Sequence, residues 1–253
     1  MDKYIELTES AKKHKSVYHY TSLDALKCIL DNQSLRLSRI DTVNDSKEND
    51  RIKSLWNAKV FLLCFTHEDN NSEYFYKEYG EIRLEFKREN IVIDKLYYES
   101  ELKNSFTSFD NYVRRSQINH KSYENKADWC VYDISIADIY YTDDLNSHIS
   151  TDGFESNAGL IKAKKGVDDC GNERNWNLEA ETRIRVALRP IGQENILDRK
   201  TNEFYCPVPK FECIYMRLPI ITKISISPYI SEDEKNRIIK TLKNYGLIEK
   251  IYP

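Results

Sequence analysis

The stretch NWNLEAETRIRVAL (175–188) constrains the fold of this chain more than any other. Glu179, Glu181, Arg183 and Arg185 fall on every second position, and Leu178, Ala180, Thr182, Ile184, Val186 and Leu188 fill the gaps. A period of two belongs to a β-strand, whose successive side chains point to opposite faces. The pattern predicts one apolar face on a core and one row of two acids and two arginines. That row is either a wet face whose charges pair with little gain in stability, or the lining of a cleft. On a strand the two carboxylates stand about 7 Å apart, two steps of ~3.3 Å. At that spacing they could act together on a glycosidic bond. With a third carboxylate they could instead hold a divalent cation.

Such a strand needs partners, and the chain supplies them. KVFLLCFT (59–66) is an apolar run of strand length, expected at the centre of a sheet. EIRLEF alternates, with Ile82, Leu84 and Phe86 on one side. SVYHYTS and SLRLS read as short strands around a helix, SLDALKCILDN, with Ser22 as N-cap and Leu23, Leu26 and Leu30 on one face. NIVIDKLYY, CVYDISIADIYY, IYMRLPIITKISISP and LIEKIY supply further strands, and NILDRKTNEFYCPVP a hairpin turning at Thr201-Asn202. Helices are expected in SEYFYKEYG with Gly80 as its stop, through Leu55 and Trp56, over much of 99–125, and in SNAGLIKAKK. The clearest helix is SEDEKNRIIKTLKNYG, with Ser231 as N-cap, Glu234 completing a capping box and Gly246 at its end. GVDDCGNER reads as a loop. Strands and helices mix without a βαβα rhythm, which predicts an α+β fold with a mainly antiparallel sheet. No repeat or linker breaks the chain, so residues 1–253 are expected to form a single domain.

Composition narrows the function. A chain of 253 residues buries a core without a disulfide or metal staple. None of the six cysteines forms C-x-x-C, which fits a reducing cytoplasm. The charged start lacks the apolar segment of a signal peptide, and no apolar run is long enough to span a membrane. A net charge of −3 marks neither a nucleic-acid nor a membrane binder. With seven glycines and six prolines there is no glycine-rich phosphate loop, whereas eighteen tyrosines offer flat faces with polar tips.

Three smaller groups carry possible chemistry. His19 lies between Tyr18 and Tyr20 on a short strand. Tyr76 and Tyr79 are three apart and share one face of a short helix, as core residues or as a stacking platform. Asn44 and Asp45 suit an Asx-turn. His14, His67, His120 and His148 show no ligand spacing, so no metal site is expected.

In this order the pieces resemble the DUF2971 family of uncharacterised bacterial proteins. The matches are Tyr18-His19-Tyr20, Leu37-Ser38 with Asn44-Asp45 and Glu48, Phe61 to Thr66, Tyr79-Gly80, Trp176-Glu179-Glu181-Arg183, Leu218-Pro219 and Ser227-Pro228. They cover most of the chain and thin out between about 95 and 155. The family often has Trp in the aromatic helix, where this chain has Phe75 or Tyr76.

The layout is also similar to the ADP-ribosyltransferase superfamily. That resemblance implies a split sandwich of two small, mainly antiparallel sheets with flanking helices, around a cleft that binds NAD as substrate. It implies that His19 binds the adenosine ribose, with Tyr20 beside it in the cofactor-binding set. Tyr79 or Tyr76 would stack on nicotinamide, and Glu181 would hold the nicotinamide ribose 2′-OH. Glu179 would orient or deprotonate the acceptor, and Arg183 would bind pyrophosphate or fix the Glu181 rotamer. The expected activity is transfer of ADP-ribose from NAD to a protein or nucleic-acid acceptor, of the kind used by toxins and phage-defence effectors. The competing expectations are a nucleotide-binding or phosphotransferase-type module without transferase activity, a metal-dependent nuclease using Glu179 and Glu181, and an interaction protein in which the motifs only pack.

Overall fold

The computed structural model describes residues 5–7, 10–42, 59–68, 72–93, 96–99, 106–108, 129–143, 160–168, 170–190, 196–198, 203–205 and 212–252. β1 (Ile5–Leu7) leads through a 3-10 turn to β2 (Ser16–Thr21), α1 (Leu23–Asn32) and β3 (Ser34–Arg39). Ser22 caps α1, its Oγ accepting from the Ala25 amide at 3.3 Å, and Leu23, Leu26 and Leu30 are buried as the spacing predicts. The apolar run forms β4 (Lys59–Thr66), the tyrosine segment α2 (Ser72–Tyr79) and the alternating segment β5 (Ile82–Lys87). Gly80 stops α2 at a φ of +120°, and a Cβ there would lie 2.4 Å from the Thr21 carbonyl carbon. Only glycine lets α2 end against the start of α1.

β6 (Leu96–Glu99), β7 (Phe106–Ser108), β8 (Trp129–Asp138), β9 (Tyr140–Thr142) and β10 (Ile161–Ala163) follow. β11 (Gly166–Val167) and β12 (Glu173–Arg174) turn the expected loop into a short hairpin. Then come β13 (Glu181–Pro190), the hairpin β14 (Ile196–Asp198) and β15 (Glu203–Tyr205), β16 (Cys213–Arg217), β17 (Ile221–Ile226), α3 (Glu232–Asn244) and β18 (Ile251–Tyr252). α3 carries the predicted capping box between Ser231 and Glu234.

Among the described residues, twelve strands join into one mixed sheet. β4 is where it forks. One edge of β4 pairs with β13 over its whole length, from Glu181↔Thr66 to Leu188↔Lys59. The other edge is shared: β3 takes Leu62 and Phe61, and β2 takes Thr66 alone, through Tyr18. One branch continues β2–β5–β17–β18, the other β3–β16–β6–β7, and β13–β8–β1 extends the opposite side. The fold is therefore α+β with a mainly antiparallel sheet. In place of two separate small sheets there is one sheet that parts at β4, joined to the β2 branch by a single residue pair. One core fills the space between: Phe61, Leu63 and Phe65 of β4 meet Ile184, Val186 and Leu188 of β13, with Leu26 of α1 and Ile238 and Leu242 of α3.

Two helix expectations are corrected. Residues 161–163 form β10, which pairs in parallel with β9, and residues 106–108 form β7 beside β6. In both, pairing with a neighbouring strand outweighs the local helical preference. Leu55, Trp56, Asn44, Asp45, Glu48, Thr201, Asn202 and residues 109–128 lie outside the described residues. No helix of the described residues is long and apolar enough to cross a membrane.

Candidate active site

The charged row departs from its predicted form in two ways. First, Glu179 is not on the strand. It ends a 3-10 turn (Trp176–Glu179), and Ala180 follows in a left-handed conformation (φ 41°, ψ 55°) before β13 begins at Glu181. Second, the row is not wet: Glu179 and Glu181 are each 5% exposed, Arg183 2% and Arg185 1%. Both faces of β13 are dry, so the charges must be satisfied inside the protein.

They are satisfied by each other. Arg183 grips Glu181 in a fork: Nε donates to Oε1 at 2.7 Å and Nη2 to Oε2 at 3.1 Å. The Lys162 ammonium, brought in by β10, donates to Glu179 Oε2 at 2.9 Å and lies 3.6 Å from Glu181 Oε2. The same ammonium stands 4.1 Å above the centre of the Trp176 ring. Gly166 makes room for that indole, because a Cβ there would come within 2.7 Å of Trp176 Nε1. The Tyr79 hydroxyl donates to Glu179 Oε1, and the Glu181 amide donates to the Tyr141 hydroxyl at 3.2 Å. Further along the row, Arg185 pairs with Asp133.

The two carboxylates are driven apart. Burial opposes ionisation of Glu181, but Arg183, Lys162 and hydrogen bonds from Arg183 and Cys64 outweigh it and hold the carboxyl at about 2. Burial raises Glu179, and the Glu181 charge adds to that rise against the pull of Lys162. Burial, followed by the nearby Glu charges, raises the Tyr79 and Tyr141 hydroxyls far above their ordinary range. A pair of acids pushed in opposite directions is the arrangement in which one stays ionised while the other exchanges a proton.

The expected site residues divide into three groups. Tyr79, Glu179, Glu181 and Arg183 converge. Tyr79 remains 43% exposed while its hydroxyl reaches Glu179, with Tyr74 edge-on to its ring and Phe75 tilted beside it. Tyr20 and Tyr76 form a neighbouring aromatic group, their rings edge-to-face at 5.1 Å, with the buried Phe75 on Tyr20 at 5.0 Å. His19 comes within 3.2 Å of the Cys64 carbonyl oxygen through Nδ1 and meets the Phe65 ring edge-on. The ladder Tyr18↔Thr66↔Glu181 puts Tyr18 and Glu181 on one face, and His19, the next residue, on the other. His19 is thus at the fork beside the acid pair, on the opposite side of the sheet. Burial holds its basicity below that of an ordinary histidine.

Lys162, Tyr141 and Cys64 were not singled out from the sequence. Cys64 has open surface next to the site, and desolvation followed by the Glu181 charge pushes its thiol well above the usual range. A lone lysine in the apolar stretch Leu160-Ile161-Lys162-Ala163 was the available signal for Lys162. Read as a helix, the segment hid it. No family model, no curated protein and no solved structure matches this chain, and the chemistry of the site rests on its own geometry.

Proposed function

We propose that the chain is an ADP-ribosyltransferase-like enzyme of the DUF2971 kind, which transfers ADP-ribose from NAD to a macromolecular acceptor. The observation that carries this reading is the unequal pair: Glu181 held ionised by Arg183, and Glu179 raised beside it. When the bond between nicotinamide and C1′ of the ribose breaks, the electron pair leaves with neutral nicotinamide and positive charge develops at C1′. An ionised Glu181 stabilises that charge or orients the ribose hydroxyl. Glu179, with its raised affinity for a proton, accepts one from the acceptor as the acceptor bonds to C1′. The part-exposed Tyr79 is suited to stack on nicotinamide beside the place where the sheet parts at β4.

Charge balance favours a second reading. Lys162 and Arg183 neutralise both carboxylates, which suits a nucleotide-binding module without turnover. A metal-dependent nuclease is less well supported, because the Lys162 ammonium occupies the position between the carboxylates that a divalent ion would need.

NAD incubated with the purified chain should release nicotinamide, and Glu181→Gln should slow release by ~10²–10³-fold, the usual loss for one electrostatic stabiliser. Full activity in that variant removes Glu181 from the chemistry. A thermal shift by NAD without release selects the binding module, and neither shift nor release excludes both.

A further inference from the structure

On the other face of β13 a second polar cluster joins four distant parts of the chain. His14 follows the 3-10 turn before β2, His67 follows β4, Asp138 ends β8 and Thr182 lies on β13. His14 Nε2 is 2.8 Å from Asp138 Oδ2, a contact between residues 124 positions apart. Thr182 Oγ1 donates to Asp138 Oδ1 at 2.7 Å and lies 2.9 Å from His67 Nδ1. The two imidazoles stack with centroids 3.9 Å apart and planes 12° from parallel.

We propose that His14, His67 and Asp138 form a binding site for a divalent transition-metal ion, with zinc the best match. Two imidazole nitrogens and one carboxylate are the donor set of an open tetrahedral zinc site, with a fourth position left for water or another ligand. Bonds of ~2.0–2.2 Å in a tetrahedron put ligand atoms about 3.3 Å apart. Here His14 Nε2 lies 2.8 Å from Asp138 Oδ2 and His67 Nδ1 lies 3.7 Å from Asp138 Oδ1, and one donor atom from each residue lies within 4.8 Å of the other two. The stacked rings now point their in-plane lone pairs nearly parallel, so reorientation of the two imidazoles is the change that brings the three donors onto one ion.

The surroundings fit the same reading. The three side chains are 24%, 18% and 13% exposed, which gives an ion access and leaves its fourth position open. The Thr182 hydroxyl takes one carboxylate oxygen and leaves Oδ2 to the ion, as an outer partner that orients a ligand does. On binding, the proton shared by His14 Nε2 and Asp138 Oδ2 and the proton that His67 Nδ1 donates to Thr182 Oγ1 leave to solvent, and the ion takes their place. The site would tie the segment before β2 to the ends of β4 and β8, one strand step from Glu181.

The test is a titration of the chelator-treated full chain with Zn²⁺, followed by calorimetry, and with Co²⁺, followed by visible absorption. Binding of one ion per chain is expected, with the Co²⁺ bands of a four-coordinate nitrogen–oxygen site. Affinity should be lost in His14→Ala and in His67→Ala, kept in Cys64→Ser, and weakened ~10–100-fold in Thr182→Val, the usual effect of removing an outer partner. Thr182→Val keeps the side-chain volume and so tests the site if the histidine variants do not fold. Absence of stoichiometric binding, full affinity in the His14→Ala/His67→Ala double variant, or thiolate charge-transfer bands that vanish in Cys64→Ser would overturn the proposal.

Discussion

The two faces of β13 are equally dry and are held by different physics. Ile184, Val186 and Leu188 on one side are fully buried and make their contacts by volume. Glu181, Arg183 and Arg185 on the other are buried to the same degree and make theirs by charge. An apolar face tolerates any side chain of similar size. A charged face tolerates only the removal of complete pairs, because a partner left alone remains a buried charge. Burial alone therefore does not separate structural from chemical residues on this strand.

The sharpest way to break the comparison is Lys162→Met, which keeps an unbranched side chain as far as Cε and removes the ammonium between two carboxylates. Loss of one partner from a buried ion pair costs about 3–5 kcal/mol. Ile184→Ala, on the apolar face, should cost about 2–5 kcal/mol from lost burial and the cavity left behind. Denaturant unfolding measures both. The charged face is confirmed as a network if Lys162→Met/Glu179→Gln recovers most of the single-variant loss. If Lys162→Met costs less than about 1 kcal/mol, the size of a surface pair, the network contributes little to the fold.

The same difference explains what the sequence made legible. α3 was readable because Ser231, Glu234 and Gly246 are local signals at fixed spacing. β4, β5 and α1 were readable because the side chains that repeat in sequence are those that become buried. The alternation of 181–188 correctly announced a two-faced strand but carried no information about what covers the charged face. That cover comes from Lys162, Tyr79 and Trp176, and their arrival depends on β10 pairing with β9 and on α2 packing beside β2. Glu179 misled for a local reason: an alanine in the left-handed region is rare enough that alternation is the better guess. The His14, His67 and Asp138 cluster had no sequence signature, since three strands and a turn bring it together only in the folded chain.

Acid should separate the two faces by pH, measured on metal-free protein. His19 on the apolar side is lowered from 6.5, so the unfolded chain binds a proton there more readily than the native one. Its contribution is complete above 6.5 and is lost as pH falls below it. Glu181 is lowered from 4.5 to about 2, so its stabilisation is complete above 4.5 and is lost as pH falls toward 2. Glu179 is raised and acts with the opposite sign, costing stability as pH rises past 4.5 and easing in acid. Two acid steps are expected in the unfolding free energy. His19→Gln should reduce the upper one, to which the lowered His67 also contributes, and Glu181→Gln the lower, which it shares with the lowered Asp138. Loss of both steps in one variant would mean that the faces titrate as a single unit.

The smallest effect lies at the joint between the two glutamates. Ala180 sits at φ 41°, where a Cβ crowds its own carbonyl and costs ~1–2 kcal/mol. Ala180→Gly relieves that strain but loosens the unfolded chain, a loss of ~0.4–1 kcal/mol. The two terms oppose, and the larger one predicts a net gain of about 0.5–1 kcal/mol. The turn that carries Glu179 is also held by Trp176 and Lys162, so the added freedom should not release it. If the proposed function holds, stability and nicotinamide release in Ala180→Gly should therefore part: the first rises and the second stays level or falls slightly. A variant that loses stability would show that Ala180 is not strained. One that gains stability but loses the release activity entirely would show that the strain at this joint holds Glu179 against Glu181.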